Sequence, residues 1–128
     1  MKNILLVLGF LLIFPVTAGW ATPPVTIALS YDLNKGSLHV EAEHPSFNVT
    51  VSYVRMMVVS LNGQAVNTLY YHIQNTPDKF WDDVPLKAQV GDVISVELFC
   101  TLGGTKSQEL TVAQPDQNPD PVTQDTTN

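Results

Sequence analysis

The chain of 128 residues holds one cysteine, Cys100, so no disulfide can form within it and the fold must rest on an apolar core. Bases are scarce as well. Six Lys and Arg stand against twelve Asp and Glu, for a net charge of −6, which argues against nucleic acid and anionic lipid, both of which need a basic surface. No stretch repeats apolar residues at the helical period of 3.6, which argues against a helical bundle. Nor is any Ser-His-acid arrangement, phosphate-binding glycine loop or paired-carboxylate motif legible, so no catalytic residue is assigned from the sequence.

The amino-terminal text decides the expected compartment. Lys2 precedes an apolar run from Ile4 to Phe14, and Pro15 opens a small-residue stretch ending Ala18-Gly19-Trp20-Ala21. The run is shorter than the roughly 20 residues of a spanning helix. Residues 1–21 therefore read as a secretory signal peptide, cleaved after Ala21 or alternatively after Ala18, and a periplasmic or secreted protein with no membrane contact after cleavage is expected. Residues 114–128, with three prolines, three aspartates and one apolar side chain, Val122, read as a disordered tail. One domain is expected between them, over residues 22–113.

Within it the signals are strands and tight turns. Val25 to Tyr31 reads as a strand, and Asn34-Lys35-Gly36 as a turn. Leu38, Val40 and Ala42 alternate with His39, Glu41 and Glu43 as a half-buried strand. The apolar stretch from Val49 to Leu61 meets Asn62-Gly63, a strong hairpin signal, and a second strand is expected from Gln64 to about Ile73. Thr76-Pro77-Asp78 breaks the pattern. Phe80 to Asp83 reads as a loop that plugs the core with aromatics, Val84 to Ala88 as a short strand, and Gly91-Asp92 as a turn. Val93 to Thr101 is a strand that places Ile94, Val96, Leu98 and Cys100 on one face; Gly103-Gly104 turns into a last strand, about Ser107 to Val112. The expected fold is all-β, an immunoglobulin-like antiparallel β-sandwich of about seven strands.

Cys100 then has two readings. Its parity makes it a buried thiol at the end of a core row; its place at a strand end before a Gly-Gly turn makes it a candidate ligand at the rim. The stretches GSLHVEAEHPS (36–46), YVRMMVVSLNGQAV (53–66), GDVISVELFCTLGG (91–104) and KSQELTV (106–112) bear on the choice. Together they resemble the iron-binding domain of superoxide reductases, also called desulfoferrodoxins or neelaredoxins, over roughly Val25 to Val112. The resemblance implies a sandwich fold and a mononuclear iron held by histidines and a cysteine thiolate. His44, before Pro45, stands where that family has its His-Pro ligand, and Cys100 where it has the thiolate. A second histidine of the family falls on Thr50 or Ser52, that of the cysteine motif on Gly103, and the most amino-terminal ligand has no counterpart.

His72 is the further histidine that strand pairing could bring in, whereas His39 and His44, five residues apart, lie on opposite faces of a continuous strand. One imidazole and one thiolate do not make the equatorial imidazole field that iron(II) uses there. The expectation is a superoxide reductase-like sandwich, degenerate in its iron site, that acts as a binding or structural module with a protein partner or as a homo-oligomer. The alternatives are a divergent metal or redox protein using Cys100, His44 and His72, with iron as cofactor if the family site is retained, or a scaffold subunit resembling thiosulfate-oxidation sulfur-carrier proteins.

Overall fold

A computed structural model describes residues 24–115. The expected signal peptide, and the tail beyond Pro115, lie outside the described residues. Seven strands form: β1 (Thr26–Asp32), β2 (Ser37–Glu43), β3 (Val54–Leu61), β4 (Gln64–Tyr70), β5 (Lys79–Pro85), β6 (Val93–Cys100) and β7 (Thr105–Thr111). They build two antiparallel sheets, β1-β2-β5 and β4-β3-β6-β7, with no helix among the described residues. The molecule is an all-β sandwich.

Alternation decides which side chains fill it. Leu38, Val40 and Ala42 of β2 face Ile94, Val96 and Leu98 of β6 across the interior, and all six are fully buried. Each large aliphatic side chain so buried contributes roughly 1.5–3 kcal/mol. In β3 the inward residues are Val54, Met57 and Val59. The odd step from 54 to 57 comes from a register shift against β6, where Val54 pairs with Cys100 and Met56 with Phe99. Arg55 is the extra residue, and its guanidinium lies 5.8 Å from the Phe99 ring centroid.

The Asn62-Gly63 turn closes β3 on β4 with φ of 50° and 84°, the paired positive values that favour these two residues. The Asn62 side chain also ties this turn to the start of β6: it accepts from the Val93 N–H (2.9 Å) and donates to Asp92 Oδ1 (3.1 Å).

Three sequence expectations are corrected. The strand expected from Val49 begins only at Val54, because Asn48 takes over the backbone before it. The Asn48 carboxamide oxygen accepts from the Thr50 N–H (3.0 Å), and its carbonyl accepts from the N–H groups of Val51 (3.0 Å) and Ser52 (2.8 Å). The strand expected to reach about Ile73 stops at Tyr70, after which the chain turns inward at Gln74. The largest correction concerns Phe80 to Asp83, which lie within β5 and not in a loop. Pairing with β2 sets Phe80 beside Ala42 and Val84 beside Leu38, so both are buried. The two aspartates are accommodated because β5 is an edge strand: Asp83 points out to His39, and Asp82 accepts the Tyr71 O–H (2.6 Å). Tyr71 in turn meets the Phe80 ring edge-on at 4.8 Å.

Candidate functional site

Strand β2 carries one histidine outward and delivers another to the interior. His44 follows its last residue, and its N–H donates to the Asp78 carbonyl (2.9 Å). The ring is fully buried, with Nδ1 2.7 Å from Gln74 Oε1. Gln74 Nε2 donates to the carbonyls of His44 (2.7 Å) and Thr76 (2.9 Å), so its oxygen must face the imidazole and His44 Nδ1 carries the proton. Any metal would therefore have to bind at Nε2.

Cys100 ends β6 at the same end of the sandwich, on the opposite sheet. Its thiol is buried beside the Val54 pairing position, and burial pushes its pKa up to about 11, with Arg55 pulling the other way. His72 is exposed in the 71–78 loop. Among the described residues, no group of three or more His, Cys, Asp and Glu stands together as a metal site. The positions where the resemblance sets further histidines hold Thr50, whose hydroxyl donates to Asn48 (2.7 Å), buried Ser52, and Gly103, whose φ of 90° a histidine would adopt only under strain. These residues do not fit the five-ligand iron site.

Around this end lies a surface the sequence did not reveal. The loops 44–53, 71–78 and 101–104 meet there, and their only charged side chain besides the histidines is Asp78. Six of the nine exposed large apolar side chains of the described residues also belong to it: Val25, Phe47, Val51, Tyr70, Ile73 and Leu102. Phe47 is 77% exposed and Tyr70 70%. They are spread over three loops, the end of β4 and the residue before β1, so no single stretch of sequence reads as a patch.

A second arrangement exists only because residues 80–83 form a strand. Register across β1, β2 and β5 sets Ser30, His39 and Asp83 in one outward row, and Ala28, Glu41 and Trp81 in the next. His39 Nδ1 lies 2.7 Å from Asp83 Oδ1, and Nε2 3.6 Å from Glu41 Oε2; Lys79 Nζ donates to Glu41 Oε1 (3.0 Å). The Asp83 hydrogen bond raises the His39 pKa against a smaller opposing effect of burial, while Lys79 lowers that of Glu41. An open trough of about 450 Å³ is lined by Ser30, Asp32, Lys35, Ser37, His39 and Asp83. The Ser-His-Asp row is not an acyl-transfer site, because Nε2 points along β2 to Glu41. The flat face of a paired sheet also aims no backbone N–H at an oxyanion above Ser30.

Compared with known proteins, the chain matches no family model and no curated protein sequence.

Proposed function

We propose that the protein is a secreted or periplasmic binding module, superoxide reductase-like in layout and degenerate in its iron site, that takes a protein partner on its loop end. The observation that carries this reading is the ring of exposed apolar side chains around loops almost without charge, a composition that resembles the centre of an interface more than ordinary surface. The non-metal half of it is supported by Thr50, Ser52 and Gly103, which stand where the resemblance sets further histidines. A metal centre is the second reading, favoured by His44 and Cys100 entering the same end from opposite sheets.

The test has two arms. A photo-crosslinking residue at Phe47, in cells that secrete the protein, is expected to capture a discrete partner, while one at Val90, at the opposite end, captures none; equal capture at both, or none at Phe47, overturns the binding surface. Metal analysis of the purified protein is expected to find no stoichiometric iron. Iron present in the wild type and lost in Cys100→Ser establishes the metal reading instead.

A further inference from the structure

The outer face of β1-β2-β5 carries a different chemistry from the loop end. Trp81 is its one exposed aromatic, outward because its neighbour Phe80 is inward, with a relative exposure of 38%. Its backbone N–H is held by Asn75 Oδ1 (2.8 Å), which fixes the edge strand where the indole stands. Across the sheet from it come Glu41 and Ala28, and one row further Asp83, His39 and Ser30. The small residues of β1 leave the face open toward the trough.

The polar groups beside the indole are pre-set by bonds to one another: His39 to Asp83, and Lys79 to Glu41. Groups already oriented lose little entropy on gripping a ligand. Lys79 offsets the charge of Glu41, and the face offers donors and acceptors side by side. An anionic ligand is disfavoured by the net charge of −6, and an apolar one by a trough whose lining is wholly polar. What fits a flat aromatic platform flanked by fixed donors and acceptors is a ring with an apolar face and hydroxyls at its edge. Two row steps separate Trp81 from Ser37 at the far side of the trough, about 13 Å along the strands, which is room for more than one such ring.

We infer that this face binds a neutral oligosaccharide, with Trp81 as the stacking platform and His39, Asp83 and Glu41 as the hydrogen-bonding groups. The site lies on the sheet face, apart from the apolar ring of the loop end, and is tied to that end through Asn75.

The experiment is calorimetric titration of the secreted protein with cellohexaose, maltohexaose and N-acetylated chitohexaose, with polygalacturonate as an anionic control. Binding of at least one neutral hexasaccharide is expected, weakened at least about ten-fold in Trp81→Ala, substantially restored in Trp81→Tyr, and weakened in His39→Ala. Because these side chains point outward, the variants should still melt cooperatively and within a few degrees of the parent, which separates lost binding from lost folding. No binding to any of the three neutral sugars, undiminished binding in Trp81→Ala, or a preference for polygalacturonate overturns the proposal.

Discussion

The two outer faces of the sandwich carry troughs of nearly equal size, about 450 Å³ on the three-stranded sheet and about 430 Å³ on the four-stranded one. Their surroundings differ in kind. The first joins His39 to Asp83 in its lining, with the Lys79–Glu41 pair and Trp81 beside it. The second sets Glu97 and Glu109 among serines and Val58, with no base in its lining. Phe99, two residues along β6 from Glu97, lies next to the Arg55 guanidinium. Volume therefore does not distinguish the faces; the mutual fixing of polar groups around an open indole does.

The hardest way to break that comparison is through β5 itself. Phe80→Ala should cost about 3–5 kcal/mol in chemical denaturation, because it empties a fully buried aromatic site, whereas Trp81→Ala should cost under about 1 kcal/mol. If the two cost the same, the outer face is structural and its difference from the other face loses its functional meaning. The same contrast can be drawn for hydrogen bonds. Gln74→Ala strands the His44 Nδ1–H and two carbonyls in the interior and should cost about 1–3 kcal/mol, while Asp83→Ala removes an exposed partner of His39 and should cost under about 1 kcal/mol. Equal losses would show that the outer pairs hold the sheet together.

Cys100→Ser tests the sealed end and should lower stability by about 1–3 kcal/mol through burial of a hydroxyl; native Cys100 should resist alkylation at pH 8, its thiol being held at about 11. Rapid labelling under native conditions would show a thiolate there. The smallest effect expected is one of pH. A raised His39 pKa means that its contribution to stability is complete below the unfolded value near 6.5 and is lost as pH rises through the higher folded value. The melting temperature should therefore fall slightly across that interval, and His39→Gln should abolish this component. A rise over the same interval would mean that the paired carboxylates do not favour the imidazolium.

The division between legible and illegible follows from the range of the signals. Alternation in β2 and β6 is local, so the inward rows, including Cys100, are readable from spacing, as is the Asn62-Gly63 hairpin. Phe80-Trp81-Asp82-Asp83 is not, because two adjacent acids look like a loop until β2 supplies His39 and Tyr71 supplies a hydroxyl. The group that His44 Nδ1 meets is a glutamine thirty positions away, and no pattern around Gln74 announces that it turns inward. The outward rows around Trp81 need the register of three strands at once, which composition does not contain.

The layout of the two outermost strands has a mechanical consequence. Val25 donates to Glu43 at the loop end, and Val112 to Asp92 at the other, so the described chain enters and leaves at opposite ends of the sandwich. β1 and β7 are each the edge of their sheet, and both run from the first end to the second. Tension between Pro24 and Pro115 therefore acts along β1 and β7, sliding each against its neighbour and sharing the load over a whole ladder of hydrogen bonds. Pulling at the Asn62-Gly63 turn from the side would instead open bonds one at a time. Stretched along its length, this domain is a strut.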